Sequence, residues 1–194
     1  MALTPSTMLP LGTPLPLALL LQQLTPVSGA VLDAAALAER PVLLLFLCPH
    51  CPFVRHIEAE LGCLQHDYGA RIALIGVNSN SERTHPQDGP AGMREQAALQ
   101  GWSFPYLQDR EQEVARALQA ACTPDPFLFD AHHRLVYRGQ LDGSRPGNAL
   151  PVDGRDLRAA IEAVLAGRQP AAEQRPSIGC NIKWHPGREP AWCR

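Results

Sequence analysis

The stretch Val42–Pro52, VLLLFLCPHCP, decides how the rest of the chain is read. Six apolar residues, Val42 to Leu47, run straight into Cys48-Pro49-His50-Cys51. A short unbroken apolar run bounded by a turn signal is the pattern of a strand buried on both faces. Pro49 suits the first position of a helix, where its fixed φ fits and its missing N–H is not needed. The segment is therefore expected to read as strand, cysteine, helix, with the helix running from about Pro49 to Tyr68. A thiol at that junction would face unpaired N–H groups and the positive end of the dipole, both of which favour thiolate. Cys48 is the expected nucleophile. Cys51, three residues on, is the expected resolving thiol, able to close a short disulfide with little backbone movement. His50, if protonated, adds positive charge beside the thiolate and makes the disulfide more oxidising.

Two other uses of this spacing weigh less. Half of a zinc site is also C-x-x-C, but the remaining ligands would have to come from Cys180, His185 or Cys193, and no second C-x-x-C exists, so no metal is expected. A structural disulfide closing so short a loop constrains the unfolded chain little. No cofactor is called for by a dithiol.

At 194 residues and 45% hydrophobic content the chain can bury one sizeable core. The net charge of -2, with no basic run interleaved with aromatics, points away from nucleic acid and from an anionic membrane. The leucine-rich N-terminus has no basic region, Pro10, Pro14 and Pro16 interrupt it, and its run Leu15 to Leu21 is too short to span a bilayer. A cytoplasmic protein is expected, whose six cysteines work in a reducing compartment.

Three parts are expected: an N-terminal arm (1–26) with a strand at Leu17 to Leu21, a main domain (27–167), and a tail (168–194) packed on it. In the main domain Asp33 can cap a short helix ending near Arg40. Phe53, Ile57, Leu61 and Leu64 recur at helical spacing after the cysteines, and Cys63 among them reads as a small core residue. Arg71 to Asn78 is a second apolar strand, so the two strands should be parallel. The polar stretch Asn78 to Pro90 leaves that strand's C-terminal end, where ligands bind in open α/β sheets, and reads equally as a shaper of access to Cys48 or as a solvated connector. A helix over Ala91–Gly101, a strand at Phe104–Leu107, a helix over Glu111–Ala121 capped by Asp109, a strand from Phe127, a partner strand Arg134–Gly139 and a last helix from Asp153 or Asp156 to Gly167 follow.

This order, with C-x-x-C at the first central strand-to-helix junction, resembles the thioredoxin fold over residues 12–167. The resemblance implies a three-layer α/β/α domain with a central mixed sheet. It also implies that Pro124 is a cis-proline lying against the redox cysteines, that Thr123 presents backbone groups to substrate, and that Gly139 lines the same surface. More narrowly, CPHCPF, GVNSN, FPYL, CTPD, LVYRGQLDGSRPGN and PSIGCNIKW resemble the peroxiredoxin-like proteins grouped with the AhpC/TSA redoxins. CPHC is also similar to the tetrad of the periplasmic disulfide oxidases, whose export signal is not expected here.

Three functions follow as expectations. The first is dithiol-disulfide exchange with protein or small-molecule disulfides, recycled by a thioredoxin or glutathione system. The second is peroxide reduction through a Cys48 sulfenic acid. Pro41 fits the pattern P-x-x-x-[ST]-x-x-C, but Leu45 stands where the hydroxyl should be. The third is a redox-sensing or binding module without turnover. The aspartate that thioredoxin buries in this strand is replaced here by Val42 or Leu43, which leaves His50 as the candidate proton acceptor. Cys122 reads as buried and structural, with auxiliary thiol as the alternative. Cys180 is a second auxiliary candidate, open to pairing with Cys193, bridging subunits or staying reduced. His132, His133 and His185 read as surface residues. Asp142 and Arg145 are weak candidates to flank the site. Ile178, Ile182, Trp184 and Trp192 argue that the tail is ordered across the body.

Overall fold

The computed structural model describes residues 3–193; the first two residues of the arm and the last of the tail lie outside them. The architecture is the expected α/β/α sandwich. Its centre is β3 (Val42–Phe46), every residue of which is buried. It pairs in parallel with β4 (Ala73–Asn78) and antiparallel with β7 (Asp125–Phe129). With β2 (Thr25–Ser28), β5 (Tyr106–Gln108) and β8 (Leu135–Tyr137) they form a mixed six-stranded sheet of order β2-β5-β4-β3-β7-β8.

Alternation along β3 feeds two cores. Leu43, Leu45 and Leu47 join the face covered by α3 (Pro52–Tyr68), α4 (Pro90–Gln100) and α6 (Arg155–Leu165). Val42, Leu44 and Phe46 join the other, with Leu20 of α1 (Leu17–Gln23) and Val114 of α5 (Glu113–Ala117). Phe46 meets Phe127 edge-to-face at 5.7 Å on that side. A short helix α2 (Ala34–Leu37) is capped by the Asp33 carboxylate, which accepts from the Ala36 N–H. No helix among the described residues is long and apolar enough to cross a membrane.

Several boundaries differ from expectation. Leu17–Gln23 is a helix, not a strand; leucine, alanine and glutamine lack the β-branching that favours strands. β2 straddles the expected division at residues 26 and 27. α3 begins at Pro52, because a residue before proline is pushed out of the α region, and Cys51 accordingly has φ -69 and ψ 120. α5 is only five residues long and ends before Gln119, whose φ is +48. Cys63 is exposed. It lies two residues from buried Leu61, which turns it about 200° away around the helix.

The tail adds β9 (Ile178–Asn181), which runs antiparallel between β1 (Leu3–Pro5) and the two-residue β6 (Cys122–Thr123). Trp184 is buried, whereas Trp192 is 38% exposed. His185 is buried rather than on the surface: its ring meets the Ser81 hydroxyl at 2.8 Å and the Arg110 carbonyl at 2.9 Å. His132 is exposed, and the His133 ring reaches the Leu37 carbonyl at 3.0 Å.

Phe46→Ala should cost about 3–5 kcal/mol, read as a lower urea midpoint. A second outcome concerns Asp125, fully buried, whose carboxyl burial pushes up to about 7 from 3.8. The folded chain then holds this proton more tightly than the unfolded chain. The associated stability is complete below pH 3.8 and is lost as pH rises through about 7. Asp125→Asn should therefore flatten the fall in Tm across that range, measured by thermal melts at each pH.

Candidate active site

β3 delivers Cys48 two residues past its end, and Cys51 caps α3; both thiols are fully buried. The peptide Thr123-Pro124 is cis and lies against them. The Thr123 hydroxyl is 3.4 Å from Cys48 Sγ, and the Thr123 carbonyl accepts from the Cys51 thiol at 3.1 Å. Thr123 and Pro124 are thus on the cysteines, and Thr123 contributes a hydroxyl as well as backbone. Its backbone is not open to an incoming chain: it pairs with Cys180 of β9, so the expected substrate edge is already taken by the tail. Gly139 lies under the tail, where its nearest neighbours are Tyr137 and the Arg175 carbonyl.

The helix N-terminus lies at Cys51, not at Pro49 as expected. Since α3 starts at Pro52, the Val54 N–H is directed at Cys51, not Cys48. The thiol hydrogen bond from Cys48 lowers the Cys51 pKa most, to about 5, with further help from Cys180, Thr123 and the Val54 N–H and against the effect of burial. The same hydrogen bond, followed by burial and the Asp88 carboxylate, pushes Cys48 well above its ordinary value. Burial and mutual contact thus couple the two thiols, which titrate as a pair and not as independent groups.

Asp88 is the residue the sequence reading missed. The stretch Asn78 to Pro90 is not a solvated connector: Asn78, Ser79, Asn80, Ser81 and Asp88 are buried. It folds back so that Asp88 accepts from the His50 backbone N–H at 3.2 Å and from Asn80 Nδ2 at 2.8 Å, with His50 Nδ1 2.5 Å from its Oδ2. Asn78 Nδ2 ties the same turn by donating to the Asp88 carbonyl at 2.6 Å. His85 stacks on His50 at 5.3 Å, and its pKa is lowered by burial first and by His50 second. A polar loop with an aspartate near the C-terminal end of a parallel strand was the available signal.

Ligand atoms of Cys48, His50 and Asp88 lie within 4.8 Å of one another, the one such group of three among the described residues. Of the zinc partners weighed from sequence, Cys180 alone reaches the motif, with its sulfur 2.9 Å from that of Cys51, while His185 is held at Ser81 and Arg110. Cys193 packs beside the opposite core from Cys180, so those two do not pair. Cys122 is buried, with its thiol donating to the Pro124 carbonyl at 3.6 Å. Asp142 is occupied in its own loop by the Ser144, Asp153 and Gly154 N–H groups, and Arg145 by the Asp142 and Ser144 carbonyls. A cavity of about 420 Å³ opens beside the motif, lined by Pro49, His50, Gln87, Gly92 and others.

Residues 19–138 match the AhpC/TSA family. The chain belongs to the AhpC/TSA family. Among solved structures, it is 43% identical to an uncharacterized conserved protein from Geobacillus kaustophilus, over 96% of this chain and 98% of that one, with a TM-score of 0.88. It is 40% identical to a hypothetical protein from Sinorhizobium meliloti 1021, over 95% and 100% of the two chains, with a TM-score of 0.85. A secreted Mycobacterium tuberculosis disulfide oxidoreductase shares the fold at 18% identity, over 74% and 93%, with a TM-score of 0.53. No protein of curated function matches. The chain is a thioredoxin-like redoxin, and its chemistry is redox chemistry.

Because the Asp88 carboxylate raises the Cys48 pKa, Asp88→Asn should shift the pH profile of thiol alkylation in the reduced protein to lower pH. Iodoacetamide labelling of the Cys48 peptide across pH 5 to 9 checks this; an unmoved profile would show that the carboxylate's charge is not felt at the sulfur.

Proposed function

We propose that the protein is a thiol-disulfide oxidoreductase in which Cys48 attacks a disulfide and Cys51 resolves the intermediate. The observation that supports this reading most is Thr123, at the cis peptide, reaching both buried sulfurs: its hydroxyl lies 3.4 Å from Cys48 Sγ and its carbonyl accepts from the Cys51 thiol at 3.1 Å. Cys48 reacts as the thiolate, while Cys51 stays a thiol donating to the Thr123 carbonyl until the second step. The Cys48 thiolate attacks one sulfur of a substrate disulfide, forming a mixed disulfide and releasing the other half as thiolate. Cys51 then loses its proton and attacks the Cys48 sulfur, closing Cys48–Cys51 and releasing the second half. The substrate gains two electrons and the protein loses two, which a thiol reductant of the thioredoxin or glutathione type restores. His50, with Nδ1 2.5 Å from Asp88 Oδ2 and a ligand atom within 4.8 Å of the Cys48 sulfur, is suited to take up and return the proton. Pro49 and His50 border the cavity through which a protein or small-molecule disulfide would approach.

A second reading, peroxide reduction, is favoured by one contact. Leu45 offers no hydroxyl, but Thr123 brings one to 3.4 Å from Cys48 Sγ from another strand. A Cys48 sulfenic acid would then condense with Cys51 and release water.

Fully reduced protein exposed in parallel to glutathione disulfide and to hydrogen peroxide separates the readings. Exchange predicts faster oxidation by the disulfide, with Cys48–Cys51 closed, and the reverse order makes the protein a peroxidase. Cys48→Ser should lose turnover by several orders of magnitude, and Cys51→Ser should accumulate a mixed disulfide on Cys48. Trapping on Cys51 in Cys48→Ser would reverse the two roles. Failure to react with either oxidant would leave a sensing or binding module.

A further inference from the structure

The tail is built onto the dithiol more closely than a covering segment requires. β9 pairs with β6 so that Cys180 is opposite Thr123. The backbone at Gly179 approaches so near that a Cβ there would stand 2.0 Å from the Thr123 carbonyl oxygen. Only glycine fits such an approach. The Ser177 hydroxyl donates to the Pro124 carbonyl at 2.6 Å, and the Ile182 N–H to the Ala121 carbonyl at 3.0 Å, clamping the strand on either side. At the centre of this clamp Cys180 Sγ lies 2.9 Å from Cys51 Sγ, with Cys180 only 2% exposed. A buried thiol held that near a redox sulfur has one obvious reaction.

We propose that Cys180 is a third redox thiol, exchanging with the Cys48–Cys51 disulfide through the sulfur of Cys51. The inference rests on the reading of Cys48 and Cys51 as the working dithiol and extends it. In the oxidised protein the Cys180 sulfur attacks Cys51 Sγ. The Cys51–Cys180 bond forms, the Cys48–Cys51 bond breaks, and the electron pair leaves on Cys48. The proton given up by Cys180 is taken by Cys48. The step is an isomerisation of one disulfide into another, and needs no oxidant or reductant. In the reduced protein burial, together with the neighbouring Cys51 charge, pushes Cys180 up to about 12 and keeps it a thiol. Oxidation of Cys51 removes that charge, so Cys180 becomes easier to ionise when there is a disulfide to attack. The result is an oxidised protein that presents Cys48 as a nucleophile again while β9 is covalently fixed to the start of α3.

The test uses the full chain. Wild type, Cys48→Ser and the double variant Cys48→Ser/Cys180→Ser are reduced, treated with diamide, acid-quenched and alkylated, and their disulfides mapped by peptide mass spectrometry. Wild type should contain both Cys48–Cys51 and Cys51–Cys180. Cys48→Ser should lose alkylation at Cys51 and Cys180 together and carry the Cys51–Cys180 link, which the double variant lacks. Circular dichroism checks that the variants fold, and Cys48→Ala serves if serine in the buried site disturbs them. Both Cys51 and Cys180 remaining alkylated in Cys48→Ser, with Cys48–Cys51 intact in wild type, would overturn the inference and leave the exchange reading standing. Absence of both links in wild type would overturn the two together.

Discussion

β3 is hydrogen-bonded on both sides and buried on both faces, so it has no freedom to slip or twist, and the rest of the molecule takes its position from it. A one-residue shift would send Leu44 and Phe46 into the core that now holds Leu43 and Leu45. That constraint fixes where the strand stops, and Pro52 fixes where the helix starts. Between these two stops lie five residues, and the two thiols are among them.

Burial then sets the chemistry. In water a pair of thiols three residues apart would titrate almost independently, but here burial couples them, and groups from other parts of the chain act on each. The Val54 N–H and Cys180 favour charge on Cys51, and Asp88 opposes it on Cys48. Thr123 reaches both sulfurs, the hydroxyl one and the carbonyl the other.

Much of this was legible in the chain. The apolar run, the C-x-x-C and the prolines at 49 and 52 carry the sheet centre and the dithiol, because strand period and proline stereochemistry are local rules. The pairing of Leu17–Gln23 with the sheet's outer face, the depth of His185 and the exposure of Cys63 were less legible, since each depends on which neighbour arrives from far along the chain. The largest gap concerned where the helix after the cysteines starts. The sequence contained the answer, in that Pro52 bars Cys51 from the helix, but Pro49 offered a competing start. Asp88 and Cys180 could be seen as residues of the right kind, not as neighbours of the dithiol. Their approach depends on a loop folding back over 38 residues from His50 and on a strand returning from 129 residues beyond Cys51.

That late return also has a consequence in time. Thr123 is made 55 residues before Ile178 begins β9, an interval of about 3–11 s at ordinary rates of synthesis. The six-stranded sheet, the α-helices and the dithiol are all synthesised before the strand that covers them. During synthesis, then, the thiols precede by more than that interval the strand that lies over them.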